Sequence, residues 1–84
     1  MTNKRINFAQ FEKVMKELGF QKRLAPERAV VFKHSTLDSI VIVRMYKPKE
    51  IIPDFVMIGT KVQLDRQGVV EEAEFEKMFQ AVAA

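Results

Sequence analysis

Gly19 separates two kinds of hydrophobic pattern, and that break constrains the fold more than any other feature of the chain. Before it, Phe8, Phe11, Val14 or Met15, and Leu18 recur at the helical period, with Glu12, Lys13, Lys16 and Glu17 between them for a wet face. Asn7 is placed to cap this helix, which begins near Phe8. Gln10 can reach back to the cap three residues later, and Ile6 can staple onto Phe11. Gly19 suits the left-handed C-cap position, with Phe20 set to pack behind it.

After Gly19 the composition turns to valine, isoleucine and aromatics. Residues 28–33 and 39–46 read as two strands of an antiparallel hairpin around the turn-forming stretch 34–38. A lone hairpin is marginal, so a third short strand at 20–24 is expected beside it. The unbroken apolar run at 40–43 suits a central strand, covered by helices on one face and partly by long side chains on the other.

The stretch Tyr46-Lys47-Pro48-Lys49-Glu50 leaves the sheet. Pro53 fits the first turn of a second helix, which runs to about Gln67, is closed by Gly68, and carries Phe55, Met57, Ile58, Val62 and Leu64 as its apolar residues. Gly59 and Thr60 lower its intrinsic propensity, so tertiary packing has to hold it, and Gly59 could permit a close approach. The acidic run Glu71, Glu72, Glu74 favours the N-terminus of a short third helix with Phe75, Met78, Phe79 and Val82. The expected architecture is therefore α+β: an α-β-β-β-α domain with a three-stranded antiparallel sheet packed on helices, and a short C-terminal helix. The 84 residues (1–84) suffice for a single domain with one core. No repeat or linker interrupts them.

An apolar fraction of 48% beside 30% charged residues is the mix of a foldable globular chain. There is no cysteine, which rules out disulfides and thiolate metal sites. The polar opening residues 1–7 and the shortness of the longest apolar run give no export signal or membrane span, so a cytoplasmic protein is expected. The net charge of +3 conceals an asymmetry: residues 1–49 hold 11 Lys and Arg against 4 acids, and residues 50–84 hold 3 against 7. The basic half can attract a phosphate backbone or an acidic protein. The acidic C-terminal segment could shield it.

Chemistry-bearing motifs are sparse. Asp38, Asp54 and Asp65 lack metal-ligand spacing, and Gly19, Gly59 and Gly68 make no phosphate loop, so neither metal nor cofactor is expected. The seven phenylalanines fall mostly at core spacing rather than as stacking platforms for bases. His34 is the single histidine; beside a turn it reads first as a hydrogen-bonded or solvated residue, and only second as an acid or base oriented by Asp38. The basic residues Lys22, Arg23, Arg28, Lys33, Arg44, Lys47 and Lys49 fall on the strands and their connections. They could share a face that tracks RNA phosphates.

Over most of its length the chain resembles the HicA (YcfA-like) toxin family, small domains with a double-stranded-RNA-binding-like fold that act as messenger-RNA interferases. The likeness is carried by Leu18-Gly19-Phe20, by Val30-Val31-Phe32-Lys33-His34, by the strand at 40–43, by Lys49-Glu50-Ile51, and by a helix ending before Gly68-Val69-Val70. That helix is about one turn longer than in short members, and Lys61 falls where the family has a basic residue.

The family's catalytic histidine stands in a Gly-Ser-His motif, three positions before an aromatic residue. With that aromatic set on Phe32, Glu27-Arg28-Ala29 occupy the motif, and His34 matches a different histidine that follows the hairpin strand in many members. The resemblance thus implies a divergent, catalytically impaired member that binds RNA through Lys22, Arg23, Arg28, Lys33, Arg44 and Lys61 as phosphate contacts. One alternative is a protein-interaction module whose basic face meets an acidic HicB-like antitoxin. Another is an active ribonuclease that uses His34.

Overall fold

The computed structural model describes residues 5–83, so Met1, Thr2, Asn3 and Lys4 of the polar opening stretch, and Ala84, lie outside the described residues. The chain runs α1 (Phe8–Glu17), β1 (Phe20–Ala25), β2 (Ala29–His34), β3 (Ile40–Arg44), α2 (Asp54–Arg66) and α3 (Glu72–Ala83). This is the expected α+β order: a helix, three antiparallel strands and two further helices. None of the described helices is long and apolar enough to cross a membrane.

α1 forms where its caps dictate. The Asn7 side chain accepts the Gln10 amide at 2.8 Å and the Gln10 side chain accepts the Asn7 amide at 2.9 Å, which completes the capping box. Two more helix N-terminal amides find partners in the segment leaving the sheet: Phe8 donates to the Glu50 carbonyl and Ala9 to that of Pro48. Gly19 ends the helix at φ 101°, and Ile6 and Phe11 are both buried in the core. α2 closes on a Schellman motif: the Val69 amide bonds the Leu64 carbonyl, the Gly68 amide bonds that of Asp65, and Gly68 has φ 73°.

The sheet order is β1-β2-β3, with Phe20 opposite His34, Phe32 opposite Lys22, and Val30 opposite Val43. The run at 40–43 is thus an edge strand, not the central one expected. β2 holds the centre because both hairpins share it. Strand alternation splits the run: Val41 and Val43 are buried, while Ile40 and Ile42 point away from the helices and are exposed.

α1 and α3 cover the face that bears Phe20, Val30, Phe32, Val41 and Val43. The rings of Phe8, Phe11, Phe32 and Phe79 meet one another at centroid distances of 5.7–6.4 Å. Each buried ring contributes about 2–3 kcal/mol of apolar burial. Six of the seven phenylalanines belong to this core.

Phe55 is the exception. It stands exposed on α2 together with Ile58, although both belong to the apolar set read for that helix. α2 seats Thr60 and Leu64 fully, and Val56 and Met57 partly, because only that side of the helix turns inward. Gly59 makes no close approach to any described residue: a Cβ added there would meet nothing within 4 Å.

Candidate functional site

The register fixes what the open face of the sheet displays. Cα partners point the same way, so three cross-strand rows face away from the helices: Gln21–Lys33–Ile40, Arg23–Val31–Ile42 and Ala25–Ala29–Arg44. Val31 is half-buried between its neighbours, and Ile42 is 66% exposed. Three cations thus surround a small aliphatic floor. With strands about 4.8 Å apart and about 3.4 Å per residue, Arg23 lies about 8 Å from Lys33 and about 12 Å from Arg44, with about 14 Å between Lys33 and Arg44.

Of the six basic residues singled out in the sequence, Arg23, Lys33 and Arg44 share this face. Arg23 and Lys33 make no ion pair among the described residues, while Arg44 lies 3.8 Å from Glu50 and 5.2 Å above the Tyr46 ring. Arg28 sits at the tip of the β1–β2 hairpin. There Glu27 and Arg28 both adopt left-handed backbone conformations, with φ of 63° and 59°, and the Arg28 carbonyl accepts the Met45 amide.

Lys22 and Lys61 point elsewhere. Lys22 has the parity of Phe20 and reaches back over α1, 3.2 Å from Glu12 and 6.0 Å from the centre of the Phe8 ring. Burial acts to raise the Glu12 carboxyl, but hydrogen bonds and attraction from Lys22 and Lys16 outweigh it and hold it below its ordinary value. Lys61 donates to Glu76 of α3 at 2.7 Å, and that bond raises the lysine above its ordinary value. Both lysines are neutralised where they stand.

α3 packs on α1 and α2, behind the sheet, so the acidic segment does not lie over the open face. The shielding suggested by the charge asymmetry is confined to Lys61.

His34 is committed to structure. Its Nε2–H donates to the Leu18 carbonyl at the end of α1 (2.8 Å), and its Nδ1 accepts the amides of Thr36 (3.1 Å) and Leu37 (3.0 Å). The ring also stands edge-on to Phe20 with centroids 5.0 Å apart. One ring thus ties the C-terminus of the first helix to the β2–β3 turn, and the turn amides occupy the nitrogen that Asp38 would have had to orient. Among the described residues no three of His, Asp and Glu converge as metal ligands would.

The chain was compared with protein-family models, curated proteins and solved structures. None matches it.

The sequence places the floor residues Val31 and Ile42 on strands without assigning either to an open face. The signal that separates them is the strand parity set by Phe32 and Val41, and it becomes legible only once the register is known.

Proposed function

We propose that the open sheet face binds RNA through its phosphate backbone, and that the domain holds RNA without cutting it. The observation that carries this reading is the grouping of Arg23, Lys33 and Arg44 on one surface. Their spacing of about 8–14 Å exceeds what one phosphate can bridge and suits successive phosphates of a chain. None of the residues in the three rows is aromatic, so base stacking contributes little there and recognition rests on backbone and shape.

The HicA resemblance supports the same reading. Glu27, aligned with the glycine of the family's Gly-Ser-His motif, has the positive φ that glycine adopts most readily. Ala29, aligned with the family's histidine, lies on the open face between Ala25 and Arg44. A methyl group can neither take nor give a proton, and both nitrogens of His34 are already bonded, so no acid–base group serves a bound RNA at that place.

A second reading is favoured by one observation: Ile40 and Ile42 are exposed among the cations. An acidic protein, such as a HicB-type antitoxin, would cover them where a phosphate chain would not. The two readings part in a titration of labelled single-stranded and duplex RNA at two salt concentrations, with the products run on a denaturing gel.

Neutralising three phosphates gives a salt slope of about −2 to −2.7, a loss of about 20- to 40-fold in affinity between about 50 and 200 mM salt. Each of Arg23→Gln, Lys33→Gln and Arg44→Gln lowers that slope by about 1, while Lys61→Gln leaves it unchanged. Intact RNA on the gel is expected. A slope indifferent to all three substitutions removes the RNA reading in favour of protein docking, and cleaved RNA restores the nuclease.

A further inference from the structure

We propose that the cleft between the free edge of β3 and helix α2 takes up an extended peptide segment of another protein as a fourth strand, one that alternates aliphatic and acidic residues. This goes beyond the RNA reading: it uses the β3 edge and α2 rather than the sheet face alone, although Ile42 and Arg44 border both.

The edge is open in a specific way. The His34 amide donates to the Ser39 carbonyl and the Met45 amide to that of Arg28. Bonding residues alternate along an antiparallel ladder, so with Val43 opposite Val30 and Val41 opposite Phe32, residues 39, 41, 43 and 45 turn their peptide groups to β2. Ile40, Ile42 and Arg44 turn theirs outward. The Ile40 carbonyl is taken by the Gln63 side chain at 2.6 Å. The N–H and C=O of Ile42 and Arg44 have no partner among the described residues. An unpaired, aliphatic strand edge is a template for pairing unless something blunts it.

α2 faces this edge across an open cleft of about 470 Å³. Phe55, Gly59 and Gln63, four residues apart and therefore on one side of the helix, line its wall. Gly59 is the telling member. A glycine inside a helix costs about 1 kcal/mol relative to alanine, and among the described residues nothing outside its own helix backbone and chain neighbours would lie within 4 Å of a Cβ placed there. The side chain is missing on the wall of a cleft that no part of the described chain fills. Phe55, 68% exposed, stands one turn away as an anchor that the fold itself does not use.

The same geometry selects the occupant. α2 bounds the far side and pins the Ile40 end through Gln63, so one extended segment fits and the sheet edge of a second copy, bordered by its own α2, does not. A strand seated there sends alternate side chains inward, towards Val56 and Tyr46, and outward beside Ile42 and Arg44. The inward places call for aliphatic residues. The outward ones lie beside Arg44, with Arg23 and Lys33 on the same face, and call for carboxylates.

The test uses the full chain and a fluorescent seven-residue peptide of alternating glutamate and valine. Controls are an alternating lysine and valine peptide and a version of the first with proline at its centre. Binding is read by anisotropy and by amide shifts of Ile42, Arg44 and Gly59. The expected result is binding of the acidic peptide alone, slowed exchange of the Ile42 and Arg44 amides, and at least tenfold weakening in Gly59→Gln. That variant fills the cleft while keeping or raising the melting temperature, so lost binding cannot be assigned to unfolding. No binding, equal binding of the lysine or proline peptides, or binding unchanged in Gly59→Gln overturns the proposal. A concentration-dependent dimer abolished by Gly59→Gln overturns it in favour of self-association, and displacement of labelled RNA by the peptide from the Ile42 edge with no effect of Gly59→Gln assigns the peptide to the cationic face instead.

Discussion

Replacing His34 by alanine tests whether the only histidine holds the fold or performs chemistry. The ring makes three hydrogen bonds with the backbone, one to the Leu18 carbonyl and two from the Thr36 and Leu37 amides, and an edge-on contact with Phe20. A hydrogen bond contributes about 0.5–1.5 kcal/mol net, and the aromatic contact about 0.5–1.5 kcal/mol. Thr36 and Leu37 are exposed, so water replaces the imidazole at their amides and those two bonds count at the low end. The Leu18 carbonyl lies at a part-buried helix end, where the loss is felt in full. The sum is about 3 kcal/mol, which for a domain of this size lowers the melting temperature by about 12–24 °C. Thermal unfolding followed by circular dichroism measures it. A shift under about 3 °C would refute the structural role. If the same variant lost an RNA-cleaving activity seen in the parent while melting at the parent's temperature, the ring would be a catalyst.

Three further outcomes follow from the same contacts. Gly19→Ala forces a Cβ into a backbone at φ 101° and to 2.8 Å from His34 Nε2, and is expected to destabilise by about 2–3 kcal/mol in chemical denaturation. Gly59→Ala, with open space around the new methyl, is expected to stabilise by about 1 kcal/mol; a loss of stability would mean that some part of the chain occupies the cleft. Glu12 has a folded-state value below its unfolded one, so its stabilisation is complete above about pH 4.3 and disappears as the pH falls through the lower folded value. Lys22→Met should flatten the melting-temperature profile in that acid window and cost at most about 1 kcal/mol at neutral pH; an unchanged acid limb would show that Lys22 does not hold the carboxylate.

What the sequence made legible was local. The Asn7 and Gln10 capping box, the left-handed Gly19 and the closure at Gly68 depend on residues a few positions apart, and each formed where those residues stand. The turn at 34–38 was equally readable. What was not legible depends on long-range partners. The run at 40–43 is apolar throughout, so alternation cannot tell an edge strand from a central one, and only the pairing with β2 decides. Lys22 and Arg23 are adjacent in sequence, yet strand parity sends one over α1 to Glu12 and the other to the open face. His34 bonds Leu18 sixteen residues away, a partner no spacing rule predicts.

The places where local preference and the global fold disagree are not scattered. Glu27 and Arg28 take positive φ without being glycines, at an energetic cost of order 1–3 kcal/mol each. α2 leaves Phe55 and Ile58 in water and carries a glycine in its interior that no contact among the described residues requires. Elsewhere the caps, the core rings and the turns agree with one another. The strained hairpin tip adjoins Ala29, which shares a cross-strand row with Arg44, and Arg44 also lines the cleft against α2. Both departures therefore border one continuous surface, the open face and its β3 edge, whereas a folding compromise would have no reason to concentrate there. Proteins tolerate such inconsistencies chiefly where a surface serves something other than stability. If the cleft alone serves peptide binding, Gly59→Gln should gain stability and lose peptide binding, while replacing Glu27 by glycine should gain stability through relief of its positive φ and leave peptide binding intact. The two effects would separate the hairpin tip from the cleft as independent working parts of that surface.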